Sequence, residues 1–175
     1  MLELQYPIGK HKRLEGTLPI NLREDYISAI RDIPKLLKKA VENFSESQLD
    51  TPYRPGGWTV RQLLHHMADS HMNSFFRFKL ALTEDNPTIK PYEEQLWAQT
   101  PEIYSVPVSV SLQLLELLHI RWVALLKGID PEKYKSTFQH PVSGTMTLDQ
   151  AIALYAWHGK HHLAHILRLI ERNNW

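Results

Sequence analysis

Four of the ten histidines of this 175-residue chain lie within eight positions, in the segment Trp157–His165. The segment has the pattern of a helix, and residues four apart lie one above the other on the same helix face. His158 therefore converges with His162, and His161 converges with His165. Two imidazoles at this spacing can bind one transition-metal ion and leave positions for a third protein ligand and for water.

A second histidine group consists of His65 and His66, with His71 five positions further along. These residues fall on another predicted helix, so one metal ion held between two helices is the simplest interpretation. Two alternatives remain open at this point. A single histidine on an apolar face is more often a hydrogen-bonded core residue, and clustered histidines can also sense pH through protonation.

Apolar periodicity predicts four long helices that would position these histidines. Two of them begin with a capping box, Thr59 with Gln62 and Thr147 with Gln150, in which the two side chains satisfy free backbone N–H groups at the helix start. Pro34 is expected to kink or divide the first helix. The predicted helices cover about residues 21–44, 59–82, 109–128 and 148–172.

The segments between these helices carry most of the prolines and glycines. Residues 1–20 are expected to form an extended arm, and residues 84–108 an irregular segment with one helical turn near 93–97. Residues 130–146 are expected to form a connector with a short hairpin at Ser143-Gly144. Since no set of strands is evident, the fold class expected is all-α, an up-down antiparallel four-helix bundle in a single domain over residues 1–175.

The composition excludes several classes of function. The net charge is +1, with 20 Lys and Arg against 19 Asp and Glu, so no basic surface favours nucleic acid. The chain has no cysteine, which excludes disulfides, thiolate metal sites and a cysteine nucleophile. The N-terminus lacks the features of a signal peptide, and no apolar run is expected to reach the roughly 20 residues that cross a bilayer. We therefore expect a cytoplasmic protein with no membrane partner.

Helical periodicity ranks the histidines. Apolar residues on the last predicted helix define its core face, on which His162 lies and at whose edge His158 lies. His161 and His165 continue into a polar flank with two arginines, so they are expected to face solvent or to support the ligands. On the other helix, the neighbours of His66 are less polar than those of His65, which favours His66. The core face of the last helix carries Leu148, Ile152, Tyr155, Ile166 and Leu169.

Two segments of the chain carry a family resemblance. Residues 53–62, Tyr-Arg-Pro-Gly-Gly-Trp-Thr-Val-Arg-Gln, followed by residues 65–73, resemble the DinB-like superfamily and, within it, the YfiT-type metal-dependent hydrolases, which include bacillithiol S-transferases. The superfamily pattern is a histidine eight residues after a tryptophan and a late His-x-x-x-His. These positions are His66, His158 and His162 here.

The resemblance covers nearly the whole chain. It implies a divalent zinc or nickel ion held by these three histidines in an up-down four-helix bundle, and a homodimer. Such a metal ion can lower the pKa of bound water to about 7, which would give a hydrolase. It can equally deprotonate a bound thiol, such as bacillithiol, which would give a thiol transferase acting on a small electrophilic substrate.

The catalytic residues beyond the metal ligands stay unassigned. No nucleophile elbow, phosphate-binding glycine loop or dinucleotide fingerprint is present. Asp69 is a candidate to orient a ligand histidine, although a helix cap or a salt bridge is as common a role. The alternative function is a non-catalytic, metal-binding stress-response dimer whose metal is structural. Candidates to line a substrate pocket, although aromatic residues at helical spacing are more often core, are Arg61, Asn73, Arg77, Tyr92, Trp97, Tyr155 and Trp157.

Overall fold

The computed structural model describes residues 2–175, with side chains from Leu4 onward, and is mainly helical. A 3-10 helix over Pro131–Lys135 and an antiparallel hairpin of β1 (Thr137–His140) and β2 (Gly144–Thr147) precede the last helix. The helices are α1 (Leu2–Gln5), α2 (Ile20–Val41), α3 (Glu46–Leu49), α4 (Val60–Thr83), α5 (Glu94–Trp97), α6 (Glu102–Ser105), α7 (Val108–Gly128) and α8 (Leu148–Asn173).

The four long helices, α2, α4, α7 and α8, confirm the expected all-α bundle. Both predicted capping boxes are present at Thr59 and Thr147. The expected hairpin and the helical turn near 93–97 are present as β1–β2 and α5. Pro34 does not divide α2, which continues through it without a break. The N-terminal arm is not extended throughout, because its first residues form α1.

Two helices begin earlier than the polar capping pattern predicted. α2 follows Pro19 and α7 follows Pro107, and neither start has a side-chain cap. Both prolines have extended backbone angles, and a proline has no N–H group that a helix start would leave without a partner. The predicted starts, near residues 21 and 109, therefore lie one residue too late.

The order of the long helices around the bundle differs from a simple up-down arrangement. α8 packs against α2 and α4, and α7 packs against the same two helices, so α2 and α4 are diagonally opposite. α2 and α8 run in the same direction, since Arg23 bonds to Asp149 near both starts and Ile33 adjoins Gly159 ten residues further along.

The other two long helices, α4 and α7, are also parallel to each other. His65 bonds to Ser111 and His71 bonds to His119, so the two helices advance together. α4 is antiparallel to α8, and the directions in chain order are therefore up, down, down, up. This order requires a connection that returns along the whole length of α4, and the long segment between α4 and α7 supplies it.

The core consists of two apolar clusters along the bundle axis. One is centred on Phe78, Trp122 and Tyr155, and the other includes Leu64 and Ile166. On α8 the four histidines lie between residues of the two clusters, and on α4 His71 does so, whereas His65 and His66 lie among residues of the second cluster. The bundle therefore carries a polar layer between two apolar ones.

Gly159 lets α8 approach α2 closely beside this polar layer. A Cβ atom added at Gly159 would lie 2.6 Å from Cγ1 of Ile33, which is too close for an unstrained contact. The glycine in the middle of α8 is therefore required by packing, despite the lower helix propensity of glycine. This close contact sets the position of the α8 histidines along the axis of α2.

Helix α7 is long and apolar enough, by length and average composition alone, to cross a membrane. Its most apolar 18-residue window has a mean hydropathy of 1.4, and one third of that window is buried inside the bundle. Charged residues within α7 interrupt every continuous apolar run, although the mean hydropathy of the window remains high. Core helices of soluble bundles meet the same criterion, and α7 packs along α2 and α4.

Candidate metal centre

Helices α4 and α8 position the three histidines predicted to bind metal. Each helix starts at a fixed residue because its capping box holds the first turn. Thr59 Oγ1 accepts from the N–H of Gln62 at 3.1 Å, and Thr147 Oγ1 accepts from that of Gln150 at the same distance. Since α4 and α8 are antiparallel neighbours, the first turns of α4 lie beside the middle of α8.

The structure brings His66, His158 and His162 together through their Nε2 atoms. Nε2 of His158 lies 3.4 Å from Nε2 of His66 and 3.2 Å from Nε2 of His162. One ligand nitrogen of each residue lies within 4.8 Å of the others. We call this group the histidine triad. His66 and His162 are buried, and His158 is partly exposed.

The triad fits a divalent transition-metal ion. Two ligands at about 2.0–2.1 Å from a tetrahedral ion stand about 3.3 Å apart, close to the separations within the triad. Three Nε2 atoms that face each other cannot all be satisfied by mutual hydrogen bonds, because a neutral imidazole carries one N–H. Nδ1 of His162 is also buried without a hydrogen-bond partner. Metal binding by these residues stays a prediction.

A chain of hydrogen bonds sets the protonation of His158. Nδ1 of His119 lies 2.6 Å from the carbonyl oxygen of Ile30, and a carbonyl can only accept, so His119 carries its proton on Nδ1. Nε2 of His119 then accepts from Nδ1 of His71 at 2.8 Å. Nε2 of His71 in turn accepts from Nδ1 of His158 at 3.1 Å. His158 is therefore left with a free lone pair on Nε2, the atom that faces the triad.

This histidine chain requires neutral rings, and burial provides that condition. Burial lowers the pKa of His119 to about 4. Burial, with the neighbouring histidines, holds the pKa of His71 well below its usual range. Both rings are thus uncharged at neutral pH, and each donates only one N–H. His71 and His119 resemble the partners that orient metal-binding histidines in other proteins.

Replacing His71 tests this histidine chain. His71→Phe removes the acceptor for Nδ1 of His158, and we expect metal affinity to fall about 10–100-fold, as is typical when such a partner is lost. His65→Phe is the matched control, because His65 is as deeply buried on the same helix but bonds to Ser111. Isothermal titration with zinc measures both affinities. Equal affinities for the two variants would contradict the role of His71.

Burial also predicts how metal binding depends on pH. Burial lowers the pKa of His66 to about 4, and it holds the pKa values of His158 and His162 well below their usual range. Protons compete with metal only when the pH falls through these lowered values. We expect little loss of zinc affinity between pH 7.5 and pH 6. Three imidazoles with an ordinary pKa of about 6.5 would lose about 50-fold over that interval, and such a loss would contradict this prediction.

A cavity of about 350 Å³ opens beside the triad. Of the seven residues expected to line a substrate pocket, only Trp157 lines this cavity. Arg61 instead binds Glu46 and Asp50, and its guanidinium is 8% exposed. The lining residues are Gln5, Tyr6, Tyr53, Arg54, Gly56, Gly57, Trp58, His66, Glu94, Gln95, Trp157, His158, His161, His162 and His165.

Two other sequence expectations can be compared with the structure. His161 and His165 do not face solvent: they are 8% and 3% exposed and line the same cavity. Tyr53 and Trp157 pack on them, and no helical periodicity could show the contact with Tyr53. Within residues 4–175, the Asp69 carboxylate makes no hydrogen bond to a triad histidine. Burial and the nearby Glu102 raise the pKa of Asp69 to about 6.

The sequence of the chain is similar to those of known proteins. The family model described as the DinB superfamily matches residues 29–166. A Bacillus mycoides protein named "Putative metal-dependent hydrolase" is 53% identical over 175 residues, which cover both chains completely. An Oceanobacillus iheyensis protein of the same name is 49% identical over 171 residues, or 98% of each chain.

Two solved structures are also similar. One is described as "YfiT from Bacillus subtilis is a probable metal-dependent hydrolase with an unusual four-helix bundle topology"; it is 47% identical, covers 99% of each chain and has a TM-score of 0.95. The other, TT2238, "a four-helix bundle protein", is 20% identical and has a TM-score of 0.55 over 81% of this chain and 94% of its own. At that identity, TT2238 supports the fold alone.

Proposed function

The chain belongs to the DinB superfamily, and we propose that it is a metal-dependent enzyme whose triad holds one divalent ion, zinc or nickel, for the activation of water or a small thiol. The observation that carries this proposal is the open histidine triad. Three nitrogens from His66, His158 and His162 converge at the wall of a cavity. Relatives named as metal-dependent hydrolases support the hydrolase class.

The number of ligands favours an enzyme over a structural metal site. Structural zinc is usually closed by four protein ligands, whereas catalytic zinc keeps a position for water or substrate. Within the described residues, the triad group contains three ligands and has no carboxylate. When bound there, the ion would supply Lewis acidity, which makes a bound water or thiol nucleophilic near neutral pH.

Residues of the chain itself would bind the substrate and move protons. The aromatic rings of Tyr6, Trp58 and Trp157 give the cavity apolar walls, and Arg54 supplies a positive charge. Glu94 is the carboxylate among the lining residues, and burial raises its pKa. A carboxylate with a raised pKa is a better proton acceptor near neutral pH. We therefore propose Glu94 as the group that takes a proton from the nucleophile.

The nucleophile decides between the two reactions of this proposal. The chain has no cysteine, so a thiol transferase would take its sulfur from a small thiol such as bacillithiol. A hydrolase would use water on an ester or amide.

We also propose a cytoplasmic homodimer. The exposed apolar face of α7, with Leu114, Leu117 and Ile120 at 44%, 64% and 63% exposure, is consistent with a protein partner.

Removing and restoring the metal tests the proposed function. We expect the metal-free protein to stay helical but inactive, because a chain of this length has an adequate core without the ion. Activity should return with zinc or nickel. Far-UV circular dichroism follows the fold, and product formation is assayed with bacillithiol plus an electrophile and, separately, with esters and amides.

The outcomes of this assay are distinct. Thiol-dependent formation of a thioether would identify a transferase, and thiol-independent cleavage would identify a hydrolase. Full activity after complete metal removal would contradict a metal-dependent reaction. A tightly bound ion with four protein ligands and no turnover would favour the non-catalytic alternative.

A further inference from the structure

A second pair of histidines in the cavity has the geometry of a metal site. Nε2 of His161 lies 3.1 Å from Nε2 of His165, close to the 3.2 Å between His158 and His162 in the triad. Both residues are buried on α8, at 8% and 3% exposure. A ring nitrogen of His162 also lies within 4.8 Å of a nitrogen of each.

Hydrogen bonding within the protein satisfies this pair only in part, because the two Nε2 atoms can share a single N–H. Nδ1 of His161 is buried and has no hydrogen-bond partner. The ring of His161 stacks on Trp157 at 4.4 Å, and that of His165 packs on Tyr53 at 4.1 Å, so both rings are fixed by aromatic contacts. Two rings fixed in this way hold their Nε2 atoms at the separation that two ligands of one ion require.

We propose that His161 and His165 form a second metal site, which binds a divalent transition-metal ion alongside the ion of the triad. Imidazoles four residues apart on one helix can chelate such an ion. The site does not depend on the reaction proposed above.

The second ion should bind more weakly than the first. The triad uses Nε2 of His162, so the second site depends mainly on two protein ligands. The charges of Arg54 and Arg172 act on His165 and oppose a cation there. The same charges favour an anion in the remaining coordination positions, which open to the cavity.

Metal stoichiometry tests the second site. Metal-free protein is equilibrated with increasing Ni²⁺, and bound nickel is measured by mass spectrometry. We expect the wild type to bind two equivalents, the second more weakly. His161→Asn and His165→Asn should each lose only the weaker equivalent, and His158→Ala should lose only the tighter one. His140→Asn, on the hairpin, is the control and should bind two equivalents.

The wild type alone can overturn the proposal, so the test does not depend on any variant folding. Saturation of the wild type at one equivalent would contradict a second site. Two equivalents in His161→Asn and His165→Asn would place the second ion elsewhere. Loss of both ions from helical protein in these two variants would show that the pair belongs to the triad site.

Discussion

The His158→Ala variant is expected to lose the tightly bound metal ion and all metal-dependent activity. His158 stands between the other two ligands, with Nε2 at 3.4 Å from His66 and 3.2 Å from His162. Its removal leaves His66 and His162 without the third ligand nitrogen that lies close to both. His66→Ala and His162→Ala should also lose the ion. Mass spectrometry after dialysis against a chelator measures occupancy of the tight site alone.

The neighbouring histidines provide matched controls for this experiment. His161→Ala and His165→Ala remove imidazoles from the same helix and the same cavity, yet both should keep the tight ion. If His158→Ala kept full occupancy while His161→Ala lost the ion, the triad would be the wrong set of ligands. Circular dichroism of each variant shows that the helices remain formed.

Asp149→Ala is expected to destabilise the protein by about 3–5 kcal/mol, the usual result of removing one partner from a buried ion pair. Asp149 is 1% exposed and accepts from Nε of Arg23 at 2.7 Å and from the N–H of Leu18 at 3.0 Å. Its loss leaves the guanidinium, which also lies 3.9 Å from the ring of Tyr134, buried without a counter-charge. Urea unfolding of the metal-free protein measures the change.

A surface ion pair is the control for this variant. Asp32 bonds to Arg31 with both side chains 52% exposed, so Asp32→Ala should leave the unfolding midpoint nearly unchanged. A similar midpoint for Asp149→Ala and the wild type would show that the buried pair contributes little. The double variant Arg23→Met with Asp149→Leu removes both charges and should recover much of the stability.

Local patterns in the sequence predicted a large part of the fold and of the triad. The capping boxes at Thr59 and Thr147 depend on residues three apart, and the His158–His162 pair on residues four apart. Both kinds of contact are set by helix geometry alone. These signals were sufficient to predict the four helices and to place two of the three triad histidines on one face.

Contacts between distant segments could not be predicted in this way. His165 is buried because Tyr53, from a loop more than a hundred residues earlier, packs on its ring. Asp149 suited the start of a helix by charge, but its partner Arg23 lies on another helix, 126 residues away. The order of the helices likewise depends on a long connection with no regular pattern. Each of these features is fixed by packing between elements.

A crystal structure of the metal-loaded protein, with anomalous scattering from the ion, tests directly whether the triad binds the metal. We expect the strongest peak between the Nε2 atoms of His66, His158 and His162, with the remaining coordination filled by water or another exchangeable ligand facing the cavity. A fourth protein ligand that closes the site, or a strongest peak away from the triad, would contradict it.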